Sequence, residues 1–128
     1  MLVNNAGVMH LGVVEETTID EARAVLETNL FGVVRLTNAV LPHVGARRRG
    51  RIINVGSAAA WVGEPGEAFY ASSKHALAGY AEALRHEVWP LGIHVTGRSQ
   101  LTGWCTWSRY ASSLRPASPS CPHSAGHI

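Results

Sequence analysis

Two kinds of apolar spacing alternate along this chain. "MLVNN" opens with a short apolar run closed by Asn4-Asn5-Ala6-Gly7, the pattern of a buried strand that ends in a tight turn. From about Ile19 the spacing becomes helical. Ala22, Val25, Leu26, Leu30, Val33, Val34, Thr37 and Val40 share one face, and the helix is expected to end near Pro42. Thr18 with Glu21 three residues later is a capping box, in which each side chain takes up a backbone N–H left free at the helix start. "GARRRGR" predicts a loop, with Arg47–Arg49 as a solvated turn. Arg51–Ser57, "RIINVGS", is a second β-branched run, followed by a loop with a Pro-Gly turn at 65–66.

Helical spacing returns over Phe69–Glu87, where Leu77, Tyr80, Ala81, Leu84 and Val88 form the apolar face, and stops around Pro90-Leu91-Gly92. "IHVT", residues 93–96, is the third strand. Strand, helix, strand, helix, strand predicts an α/β fold: a partial Rossmann-like sheet of parallel strands with right-handed crossovers. Ligands in such sheets bind beyond the carboxyl ends of the strands. Gly7 and Ser57 fall at two of those ends, and Tyr70 opens the helix after the second. Tyr70 and Lys74 are four residues apart and so stack on the same side of that helix. On spacing alone the exposed pair is the favoured reading of Tyr70 and Lys74, and Asn4 and Asn5 can be read as simple turn formers.

Composition changes this picture at one end only. Hydrophobic residues make up 46% and charged residues 16% of 128, enough apolar content for one domain with a core. Residues 1–96 hold all nine acidic and eight of the eleven basic residues, whereas 97–128 hold three Arg, seven Ser, three Pro, two Trp and both cysteines. Residues 1–96 are therefore expected to form the domain, and 97–128 an irregular tail, disordered or read out of frame. A net charge of +2 argues for neither nucleic acid nor a membrane surface as partner. No uninterrupted apolar run approaches the roughly 18 residues of a bilayer span. Cys105 and Cys121 form no CxxC, and "MLVNNAG" does not read as a signal peptide, which together predict a cytoplasmic protein. The seven histidines show no metal-ligand spacing, and Trp61 and Trp89 read as packing or substrate-wall residues.

Four segments carry a family resemblance: "NNAG" (4–7), "ETNLFG" (27–32), "INVGS" (53–57) and "YASSK" (70–74). In this order, with thirteen residues from Ser57 to Tyr70, they resemble the short-chain dehydrogenase/reductase family over about residues 1–96. The resemblance implies an NAD- or NADP-dependent oxidoreductase that transfers hydride between the nicotinamide and a small alcohol or carbonyl compound. It implies that Tyr70 is the general acid/base, that Lys74 lowers its pKa and holds the nicotinamide ribose, and that Ser57 holds the reacting oxygen. Asn29 matches the residue that supports a proton relay, and Asn5, Ala6 and Gly7 match the turn that borders the cofactor. An ordinary phenol titrates near 10, and a fall of about three units is roughly 4 kcal/mol of differential stabilisation.

The family's TGxxxGxG turn is expected upstream of "NNAG", and its Pro-Gly loop after the third strand. Neither stands in this chain. The expectation is weak cofactor binding by the chain as written. It leaves open a truncated, non-catalytic remnant that interacts with or derives from an intact relative. A homo-oligomer through the two long helices is open on the same grounds.

Overall fold

A computed structural model describes residues 1–98. The expected order is present: β1 (Leu2–Asn4), α1 (Ile19–Leu26), a π-helical turn (Glu27–Phe31), α2 (Gly32–Ala46), β2 (Gly50–Val55), α3 (Ala68–Val88) and β3 (Ile93–Arg98). Single 3₁₀ turns at Ala58–Ala60 and Trp89–Leu91 flank α3. The three strands are parallel in the order β1-β2-β3, with Asn4 opposite Asn54 and Ile52 opposite Val95. β3 runs two residues past Thr96, because Gly97 and Arg98 pair with Asn54 and Val55. The expectation of an irregular tail concerns, beyond Arg98, residues outside those described.

Both crossovers step in one direction across the sheet, so right-handedness puts α2 and α3 on one face. The core lies there. Ile52, Ile93 and Val95 meet Ala81, Leu84 and Val88 of α3, with Leu41 and Val44 of α2 packed against them. Alternation along a strand sends Val3, Ile53 and Val55 to the opposite face. Val3 is 47% exposed, and no helix among the described residues covers it.

Three local features carry the helices. The capping box is present: Thr18 Oγ1 accepts from Glu21 N at 3.3 Å, and Glu21 Oε2 accepts from Thr18 N at 2.8 Å. Hydrogen bonds from Thr18 lower the Glu21 carboxyl below its usual value. Pro42 does not end its helix. It sits inside α2 at an exposed position, where the Asn38 carbonyl that loses its partner can turn to solvent. Gly92 has φ +69°, and a Cβ there would lie 2.3 Å from the Arg48 carbonyl oxygen, so this turn into β3 accepts only glycine.

The helical run Ile19–Ala46 is 28 residues and, by length and composition alone, apolar enough to cross a membrane. The expectation from uninterrupted apolar runs missed this, because Arg35 and scattered polar residues divide the stretch. Its inward residues Ala22, Val25, Asn29, Val33 and Thr37 are buried. They recur at i, i+3 and i+4, the signature of a face packed against protein.

Candidate active site

The carboxyl ends of β1 and β2 open onto the first turns of α3. β1 delivers Asn5, Ala6 and Gly7; β2 delivers Gly56 and Ser57; α3 begins with Tyr70 in its first turn and Lys74 in its second. The polar ends of the strands are tied by Asn4 Nδ2 donating to Asn54 Oδ1 at 2.8 Å, both side chains buried. Asn4 is therefore a strand residue bonded across the sheet rather than a turn former.

Lys74 is only 6% exposed. Its Nζ donates one long bond, 3.4 Å, to the Val55 carbonyl and lies 5.6 Å from the centre of the Tyr70 ring. Burial disfavours the charged ammonium and lowers its pKa below the ordinary 10.5. The phenol and the ammonium are thus neighbours, but the ammonium is buried rather than solvated. Gly7 makes room for it: a Cβ on Gly7 would touch both Lys74 Nζ and Asn29 Oδ1 at 3.4 Å.

Asn29 reaches the site from behind. The π turn re-phases the helix at this point and holds the amide inward, 1% exposed, on the same face as Val25 and Val33. Its Oδ1 accepts from Val8 N at 2.8 Å, while its Nδ2 donates to the Val8 carbonyl and to Ser73 Oγ, both at 2.9 Å. Ser73 Oγ in turn donates to the Tyr70 carbonyl at 2.7 Å. Ser73, fully buried, was not singled out from the sequence. The signal was present, since a polar residue three after Tyr70 in a helix must lie near its inward face.

Two clefts meet at Tyr70. A chamber of about 160 Å³ is lined by Asn5, Gly7, Val55, Gly56, Tyr70 and Lys74 among others. An open cleft of about 580 Å³ is lined by Ser57, Tyr70, Met9, Val62, Glu64 and Glu67 among others. The two are bordered in common by Met9 and Tyr70. Ser57 caps the 3₁₀ turn, its Oγ accepting from Ala59 N at 3.2 Å, so its own O–H stays available to donate. Five of the residues singled out from the sequence therefore converge: Asn5, Gly7, Ser57, Tyr70 and Lys74. Asn29 supports them without lining either cleft, and Ala6 is exposed on the same turn and lines neither. Trp89 lies at the far end of α3, edge-on to His94 with ring centres 5.1 Å apart, and is no substrate wall. Among the described residues no three His, Cys, Asp or Glu gather as metal ligands.

The donor set of the chamber suits a diol. An ammonium has three donors, and Lys74 uses one, weakly, in a nearly closed position. Adjacent hydroxyls of a nucleotide ribose fit that deficit, so the residues present are compatible with a nicotinamide nucleotide.

Residues 1–99 match the family model described as short chain dehydrogenase. The chain is 44% identical over 93 residues to an uncharacterized oxidoreductase, YusZ, of Bacillus subtilis, covering 73% of this chain and 33% of that protein. It is 45% identical over 95 residues to a 3-ketodihydrosphingosine reductase of Bacteroides thetaiotaomicron, covering 74% and 35%. Among solved structures, a short-chain dehydrogenase from Streptomyces avermitilis superposes with a TM-score of 0.73 at 38% identity, over 81% of this chain and 40% of that one. A gluconate 5-dehydrogenase from Burkholderia cenocepacia, in complex with NADP and tartrate, gives 0.75 at 32% identity, over 77% and 38%. The chain spans about a third of the length of the curated relatives it matches.

Proposed function

The chain belongs to the short-chain dehydrogenase family, and from that premise we propose that its site interconverts an alcohol and a carbonyl compound with NAD or NADP. The reading rests on one arrangement: the Tyr70 phenol at the junction of the two clefts, with the buried Lys74 ammonium 5.6 Å from its ring. A bound nicotinamide would take hydride from the carbinol carbon or return it to the carbonyl carbon. Tyr70 takes the hydroxyl proton in one direction and gives it back in the other, at its phenolic oxygen. Lys74 places its positive charge beside the Tyr70 ring, and its spare donors hold the ribose hydroxyls. Ser57 donates its free O–H to the reacting oxygen and fixes it against Tyr70. Asn29 and Ser73 keep the first turn of α3 and the loop after β1 in register, so that these groups stay aligned.

The named relatives and solved structures differ in substrate, and none is carried over to this chain. One relative is named for 3-ketodihydrosphingosine and one structure for gluconate. The test is isotopic. Purified protein is incubated with a carbonyl panel and NADH or NADPH deuterated at the transferable position. Deuterium on the product carbinol carbon supports the reading, and cofactor oxidation without deuterium transfer refutes it.

A further inference from the structure

The larger cleft has walls of one charge. Glu64 and Glu67 border it together with Ser57 and Tyr70. Neither carboxylate makes an ion pair or a side-chain hydrogen bond among the described residues, where the ion pairs are Arg23–Asp20 and Arg35–Glu27. Lys74 belongs to the other chamber and is bonded toward Val55. Glu67 stands at the N-cap of α3, a position that short polar side chains cap better than the longer Glu. Here it makes no cap bond. Opposite in character are Met9, 51% exposed, and Val62, 64% exposed, apolar side chains on the same cleft.

A ligand that satisfies all of this has three parts. Its reacting oxygen lies at Ser57 and Tyr70, its aliphatic skeleton covers Met9 and Val62, and its positive charge meets the carboxylates. We propose that this cleft selects alcohols and carbonyl compounds that carry a protonated amino group on an aliphatic skeleton, with Glu64 and Glu67 as the specificity-determining residues. The proposal rests on the reading of Tyr70 and Ser57 as the reacting centre. A carboxylate-bearing substrate would bring like charge to the same wall and is disfavoured.

Three methyl ketones of equal length, ending in an ammonium, a hydroxyl or a carboxylate, separate the possibilities. The ammonium ketone should show kcat/KM roughly tenfold above the hydroxyl ketone, and that one in turn above the carboxylate, with the difference lying in KM. Because the cleft is open, the ratio should shrink with added salt. In Glu64→Gln/Glu67→Gln the ammonium-to-hydroxyl ratio should fall to within about twofold of unity. A second arm does not depend on turnover: competition of unreactive octylammonium, octanol and octanoate for the protein, read by ligand-observed NMR. If no ketone is turned over but octylammonium is preferred, the oxidoreductase reading fails and the acidic wall stands. Equal acceptance of the hydroxyl and ammonium ketones with equal binding of the three octyl compounds overturns the proposal, as does a ratio unchanged in the double variant.

Discussion

The two halves of α3 bury the same face with opposite chemistry. Lys74, Leu77, Ala81, Leu84 and Val88 follow at helical spacing and are all at most 6% exposed. Ala81, Leu84 and Val88 pack on Ile52, Ile93 and Val95, whereas Lys74 faces a chamber and keeps one long hydrogen bond. The strands repeat the contrast in register. Leu2 lies opposite Ile52 at the apolar level, and Asn4 opposite Asn54 at the polar level. Burial in the lower half removes apolar surface from water and stabilises the fold. In the upper half it removes a charge from water and opposes folding.

Variants in the two halves should therefore fail in different ways. Tyr70→Phe should lower turnover by at least about a hundredfold while thermal unfolding stays unchanged, since Tyr70 lines both clefts and keeps its ring in the variant. Wild-type turnover in this variant would remove the phenol from the chemistry. Leu84→Ala, 5% exposed at the apolar level, should cost about 2–5 kcal/mol in denaturant unfolding. A cost below about 1 kcal/mol would show that the two halves do not differ as described.

Ser73→Ala probes the seam between the halves. It leaves one hydrogen of the buried Asn29 amide without an acceptor and should cost about 1–3 kcal/mol. Because Ser73 also bonds the Tyr70 carbonyl, the variant should lower kcat more than it raises KM. An effect on stability alone would make Ser73 structural only.

The smallest stability effect, and the most informative sign, belongs to Lys74→Met. Burial depresses the folded pKa of Lys74 below 10.5, so between the two values the unfolded chain binds more protons and stability rises with pH. Below that window the full cost of burying the charge is present. The Met variant lacks this cost. It should unfold at the same or a higher temperature than wild type at neutral pH, with the difference shrinking as the pH approaches 10.5, and it should lose activity. A variant clearly less stable at neutral pH would mean that the ammonium holds the fold together.

Local rules were enough for much of the fold and part of the site. Periodicity located both long helices, and the buried set Leu77, Ala81, Leu84 and Val88 follows from it directly. The Thr18–Glu21 box marked a helix start to the residue. The order and spacing of "NNAG", "INVGS" and "YASSK" brought Gly7, Ser57, Tyr70 and Lys74 toward the carboxyl ends of the strands. Helix ends were less legible. Pro42 by itself predicts a stop, and nothing local says that the Asn38 carbonyl can do without its donor.

Nearest-neighbour chemistry, then, settled which segments are helix or strand and that a phenol and an ammonium share one helix face. Side-chain period, capping and turn chemistry all act over a few residues, and those residues are adjacent in the chain. Three-dimensional packing settled that the ammonium is buried, that Asn29 turns inward through a π turn to bond Val8 and Ser73, and that Asn4 meets Asn54. The partners in those contacts lie 21, 44 and 50 residues apart. Their distance and desolvation exist only once parallel strand register has aligned the polar ends of β1 and β2 beneath the first turns of α3.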